Sequence, residues 1–180
     1  MSETTGTQEA VDLLDLQAEE AESHLRQHFA ARGRPAYRVR QVLPWLYERD
    51  AVSFAEMTDL PVGEREALAD AFRLTAPAVE HEAVSADGTV KHLWRLEDGE
   101  LIESVLIPAR DRLTLCISSQ AGCAQACVFC ATGWSGYRRQ LRTGEIVGQV
   151  RGARRYATEN DLGPVTNVVF IGMGEPLANR

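Results

Sequence analysis

The chain has 180 residues, 44% of them hydrophobic and 25% charged, with four cysteines and a formal charge of −7 at pH 7. That length holds one ordinary domain or two small ones, and the apolar fraction is enough for a real core. The longest apolar runs, such as 165–173, are far too short for a membrane span. No basic head followed by an apolar run marks a secretory leader, so the expected setting is the cytoplasm.

The charge is uneven. Glu3, Glu9, Asp12, Asp15, Glu19, Glu20 and Glu22 fall in residues 1–25, which hold no Lys or Arg; the rest of the chain is then neutral. Residues 1–22 accordingly read as an acidic flexible tail, low in apolar content and charged with one sign. Residues 23–76 read as a helical domain. Val39, Val42, Leu43, Leu46 and Tyr47 recur at helical spacing, with Pro44 expected to kink their helix. Ser53 to Glu56 has the form of a capping box, and Pro61 opens a third helix.

Over 77–112 the period changes to two. Asp87-Gly88 and Asp98-Gly99 are hairpin turn signals between runs at 81–85, 89–96 and 101–107, which predicts an antiparallel meander. From 113 a fourth run enters a loop holding all four cysteines. Thr143-Gly-Glu145 then starts a helix with a hydroxyl cap and an acid at its positive end. Val165 to Ile171 reads as a fully buried strand. Strand, loop, helix and strand make one βαβ unit, which requires a parallel sheet. The fold class is therefore α/β. One such unit cannot close a barrel, so a chain ending at Arg180 is expected to be the front part of a larger protein.

Cys123, Cys127 and Cys130 are spaced C-x3-C-x2-C, with Phe129 before the last. Three thiolates on one loop can converge on an inorganic centre while leaving a position open. A structural zinc ion and a cubane cluster each normally take four ligands. Zinc with a distant fourth ligand, or cysteines packed as small hydrophobes, are the alternatives. Arg138, Arg139, Arg142, Arg151, Arg154 and Arg155 follow closely, and read equally as a phosphate-facing surface or as a solvated helix face. Cys116 among Leu113, Leu115 and Ile117 reads by itself as a buried strand cysteine. Glu103 reads as the solvent-facing residue of an alternating strand, and Glu175 as a polar residue ending a strand.

These stretches together resemble the RlmN/Cfr family of radical S-adenosylmethionine (SAM) RNA adenosine methyltransferases. The resemblance covers most of 33–180: GRPAYRVRQVLPWLY, FAEMTDLP, SADGTVKHLWRLEDGELIESVLIP, LCISSQAGCAQACVFCATG, GEIVGQV and VVFIGMGEPLAN. It implies a helix-hairpin-helix-like accessory domain, then a meander leading into the start of a partial TIM-like barrel over 113–180. It also implies one 4Fe–4S cluster on Cys123, Cys127 and Cys130, and SAM beside Phe129, Gly174 and Glu175. By the same resemblance Glu103 is the proton acceptor, and Cys116 is the thiol that resolves a covalent protein–RNA intermediate. The implied reaction uses two SAM molecules to methylate carbon 2 of an adenosine in 23S rRNA, and commonly one in tRNA. Carbon 8 is the alternative, and a zinc-containing, non-catalytic RNA-binding module is the reading outside the family. A flavodoxin or ferredoxin would supply electrons to a monomer. Two departures stand out: no residue can act as the family's C-terminal methyl-carrying cysteine, so the chain used alone is expected not to turn over, and Gln140 replaces a usual Asn.

Overall fold

Chain contacts in the computed structural model, which describes residues 10–179, fall into two units that meet in sequence at Thr75 and Ala76. In the first unit, β1 (Val11–Asp12) is followed by α1 (Ala18–Ala31), α2 (Arg38–Tyr47), a 3-10 turn at Phe54–Glu56, α3 (Val62–Ala71) and β2 (Phe72–Arg73). Leu13, Leu25, Phe29, Val42, Leu46, Met57 and Leu68 are buried in one core. α2 continues through Pro44, whose carbonyl accepts the Glu48 N–H at 2.9 Å.

Here the expected tail is corrected from residue 10 onward; residues 1–9 of it lie outside the described residues. β1 pairs in parallel with β2, and Leu13 and Leu14 are buried. The buried Asp12 accepts the Leu14 N–H at 3.0 Å and the Thr75 N–H at 3.3 Å, tying this segment to the end of the unit. The acidic residues that suggested mobility instead suit the start of α1. Glu20 accepts the Gln17 N–H at 3.1 Å, and Glu19 and Glu20 lie in the first turn, where the helix dipole favours negative charge. Ala21, Leu25 and Phe29 form the buried stripe opposite.

The second unit is an α/β unit around a five-stranded sheet. β3 (Ala78–Val84), β4 (Val90–Arg95), β5 (Leu101–Ala109) and β6 (Arg112–Cys116) form an antiparallel meander. Gly88 and Gly99 turn its first two hairpins at φ +83° and +88°, a region glycine enters without strain. Between β6 and the last strand, the chain forms a two-stranded sheet of β7 (Gln120–Gly122) and β8 (Tyr137–Gln140). The single turn α4 (Ala131–Trp134) lies between those two, and α5 (Thr143–Glu159) follows. β9 (Asn167–Val169) returns parallel to β6, with Cys116 opposite Val169, which completes the βαβ unit.

α5 covers one face of the sheet. Leu106, Leu113, Leu115 and Ile117 pack with Ala153 and Ala157 there, and Gly152 lets the Trp94 ring approach. The expected buried strand over Val165 to Ile171 is corrected. Only its middle three residues pair, they do so at the sheet edge, and Phe170 and Ile171 are exposed. With a partner on one side only, an apolar run does not by itself give burial. Among the described residues no helix is long and apolar enough to cross a membrane.

Candidate active site

The face of the sheet away from α5 carries the predicted acid and thiol. Along β5, Ile102, Ser104 and Leu106 are buried, so the alternate residues Glu103 and Val105 belong to the opposite face. Val105 is paired with Cys116, which puts Cys116 on the face of Glu103, one diagonal step away. Such neighbours on adjacent strands sit roughly 7–8 Å apart. Lys91, across β4 on the same face, donates to Glu103 at 2.9 Å. Burial pushes the Cys116 thiol above its ordinary pKa, partly offset by the Ile171 N–H.

The cysteine loop rises beside this face and is closed at its base by backbone contacts. The Cys123 N–H donates to the Gly136 carbonyl at 3.2 Å, and the Cys130 N–H to the Cys127 carbonyl at 3.0 Å. Gly122, at φ +75°, permits the crossing, since a Cβ there would stand 1.9 Å from the Gly136 oxygen. At the tip Val128 and Phe129 are exposed. All four cysteines are free, and Cys123, Cys127 and Cys130 are each partly accessible. N–H groups of Gly133 and then Thr132 hold the Cys130 thiol below its ordinary pKa, which favours the metal-binding thiolate. Among the described residues no three His, Cys, Asp or Glu side chains are gathered as a metal site. The loop cysteines are therefore neighbours in sequence rather than a closed ligand set. Their donor chemistry, three free thiols on one accessible loop, fits an iron–sulfur cluster.

Gly174 and Glu175 follow β9 on a loop laid against the residues after β6. The Ser119 and Gln120 N–H groups donate to the Met173 carbonyl at 2.8 and 3.2 Å, and the Met173 N–H donates to the Ser118 hydroxyl oxygen at 2.8 Å. The Glu175 N–H donates to Gln120 Oε1 at 3.0 Å, while its carboxylate caps the next turn by accepting the Leu177 N–H at 3.0 Å. A cleft of about 530 Å³ between loop and sheet is lined by Leu93, Leu101, Glu103, Gly122, Ala131, Gly136, Arg138 and Met173.

Two residues that position this site, Gln149 and Ser118, were not singled out by sequence, and others that were turn out to have structural partners. The Gln149 side chain of α5 accepts the Ser118 N–H at 2.9 Å and donates to its carbonyl at 3.0 Å. The Ser118 hydroxyl donates to the Glu103 carbonyl at 2.6 Å. Gln140, at the position that departs from the family pattern, accepts from Gln120 at 2.9 Å and donates to the Ala178 carbonyl at 2.6 Å. Arg139 grips the buried Glu145 with two bonds of 2.8 Å and reaches Asp98 at 2.5 Å. Arg142 pairs with Glu97 and Glu145, and Arg151 is buried. The six arginines therefore do not form one phosphate-facing surface.

A crystal structure of a radical SAM methyltransferase from Sphaerobacter thermophilus matches 94% of this chain and 48% of its own, with a TM-score of 0.83 and 44% identity. The fold of this chain is thus that of the matching part of a radical SAM methyltransferase. Residues 11–74 match the family described as ribosomal RNA large subunit methyltransferase N-terminal domain. The dual-specificity RNA methyltransferase RlmN of Anaeromyxobacter dehalogenans is 52% identical over 83% of this chain and 41% of its own length. That of Geobacter sulfurreducens is 50% identical over 94% and 44%. The chain resembles the N-terminal part of RlmN proteins, and spans about half the length of the curated relatives it matches.

Proposed function

We propose that this chain contributes the cluster loop and the acid–thiol face of a radical SAM methyltransferase. Its target is carbon 2 of an adenosine in 23S rRNA and in tRNA. The helical unit is its accessory domain, and the βαβ unit is the start of a partial barrel. Cys123, Cys127 and Cys130 would hold the 4Fe–4S cluster, with SAM beside Phe129, Gly174 and Glu175. Together these groups would supply radical chemistry when bound, which carbon 2 needs because it is too weakly nucleophilic for ordinary methyl transfer. The observation that carries the reading is one cleft that brings Glu103 together with the flanks of the cysteine loop and with Met173, Cys116 lying on the same sheet face as Glu103.

In and around that cleft each residue would have a task. Glu103, steadied by Lys91, accepts the proton leaving carbon 2. Burial disfavours the Cys116 anion; once deprotonated, its sulfur would bond to the sulfur of the family's methyl-carrying cysteine as that sulfur's bond to the product carbon breaks and the product carbon takes up a proton. Gly174 and Glu175 present a backbone turn and a carboxylate suited to the ammonium end of SAM. The protein works as a cytoplasmic monomer supplied with electrons by a flavodoxin or ferredoxin.

Anaerobic reconstitution with iron and sulfide tests the reading. The expected product is brown and holds about four irons and four sulfides per chain. Cys123→Ala, Cys127→Ala and Cys130→Ala should each abolish the chromophore. Colourless, iron-poor protein would overturn it, and stoichiometric zinc without sulfide would favour a non-catalytic RNA-binding module. In a protein competent for turnover, mass spectrometry of the modified adenosine separates carbon 2 from carbon 8.

A further inference from the structure

The cleft wall contains one arginine whose placement differs from that of its neighbours. β7 and β8 pair Gln120 with Gln140, Ala121 with Arg139 and Gly122 with Tyr137. Arg138 is therefore the extra residue of a bulge, with no partner across the ladder. A bulge turns a side chain away from the regular alternation, and it does so often beside active sites. The consequence is visible in the two adjacent arginines. Arg139 points into the protein, bound to Glu145 and Asp98. Arg138 is exposed, lines the cleft containing Glu103, and makes no hydrogen bond or ion pair with any described residue. The other charged groups lining that cleft are Glu103 and Glu100, and Glu103 already has Lys91. The remaining lining is largely apolar or glycine.

We propose that Arg138 is a substrate-positioning residue, the cation that takes a phosphodiester of the RNA strand whose adenosine enters the cleft over Glu103. This rests on the function proposed above. An adenine fills an apolar slot and meets the carboxylate, but its flanking phosphates need a cation at the rim. A guanidinium matches phosphate through two parallel donors. Because the side chain is uncommitted in the free protein, binding costs no broken ion pair.

The test uses the 180-residue chain and a fluorescein-labelled, adenosine-containing RNA hairpin, with binding measured across a KCl series. Arg138→Gln should weaken binding about tenfold at low salt. It should also lower the slope of log affinity against log salt by about 0.7 to 0.9, the value for one phosphate contact. Arg138→Lys should restore the slope, and Arg110→Gln, in the exposed β5–β6 turn, should match the parent. Thermal melting of each variant shows whether the fold survives. An unchanged slope for a folded Arg138→Gln protein would overturn the proposal, as would absence of RNA binding by the parent chain. So would loss of SAM binding by the reconstituted protein with RNA binding intact, which would assign Arg138 to the cofactor carboxylate. Iron and sulfide content is read separately, so failure of the cluster is not confused with failure of this contact.

Discussion

Replacing Gly174 by Ala tests whether the loop after β9 is held where the cleft requires it. The residue has φ +100°, and a Cβ would stand 2.6 Å from Gln120 Cβ and Cγ and 2.8 Å from the Gln120 nitrogen. Forcing an L residue into such backbone costs about 1–3 kcal/mol. Overpacking against a neighbour that cannot retreat adds about 1–3 kcal/mol. Gln120 is buried, paired with Gln140 and fixed in β7, so it cannot simply move aside. Against this total of about 2–6 kcal/mol stand four hydrogen bonds joining Met173 and Glu175 to Ser118, Ser119 and Gln120. At about 1 kcal/mol each, they are comparable to the strain. The loop should therefore let go locally while the sheet and α5 stay folded. Hydrogen exchange should show the Ser119, Gln120 and Met173 amides exchanging at least tenfold faster, with those of β4 and β5 unchanged. Gly163→Ala is the control, since it has φ +80° but nothing within 4 Å of the added Cβ. It should cost only the backbone strain and leave those three amides protected. Equal protection in parent and Gly174→Ala protein would refute the reasoning.

Leu13→Ala removes a fully buried side chain from the helical core and should cost about 2–5 kcal/mol in urea denaturation; a flexible tail would show nothing. His92 is fully buried, and its pKa is lowered, first by burial and against the pull of Glu82. Its ring packs on Trp94 and Tyr156. The unfolded chain therefore takes up this proton first. The stability it supports is complete above pH 6.5 and is lost as the pH falls from there through the lower folded-state value. The denaturation midpoint should drop over that window, and His92→Phe should flatten the drop. Under metal-free reducing conditions at pH 7, iodoacetamide should label Cys130 first and Cys116 last, by on the order of tenfold or more, as peptide mass spectrometry would show. Fast labelling of Cys116 would contradict its burial.

How much of this was legible in the sequence depends on the kind of signal involved. The hairpins were, because Asp87-Gly88 and Asp98-Gly99 are short-range turn chemistry that tertiary packing has no reason to override. The start of α5 was legible in position and in its acid, but not in its cap: Arg142 rather than the Thr143 hydroxyl stands at the N-cap, and the buried Glu145 accepts the Arg142 N–H at 2.8 Å while also held by Arg139. Residues 10–22 were misread because composition alone cannot tell a solvated chain from a helix with one charged face. Leu13 and Leu14 are buried through a parallel pairing with residues some sixty positions away, which leaves no local trace. The run from Val165 to Ile171 misled in the opposite direction, since apolar content reports what can be buried rather than what is.

The same distinction explains the site. Cysteine spacing is a local pattern and could be read directly, whereas the polar clamp that orients the cleft consists of pairs far apart in sequence. Gln149 grips both backbone groups of Ser118, whose hydroxyl holds the carbonyl of Glu103 and receives the N–H of Met173. One serine thus links α5, β5 and the loop of Gly174. A buried polar group of this kind is stable only with every partner present, so the clamp fixes three elements relative to one another more firmly than apolar contacts would. The loop carrying Cys127, Val128 and Phe129 is held at its tip by a bond from the Trp134 Nε1–H to the Val128 carbonyl at 3.1 Å, and its side chains at Val128 and Phe129 stay exposed. Beside a face fixed by that clamp, a loop whose three thiols are partly accessible and not gathered into a ligand set is one whose geometry a cluster, when bound, would complete, as metal sites commonly do.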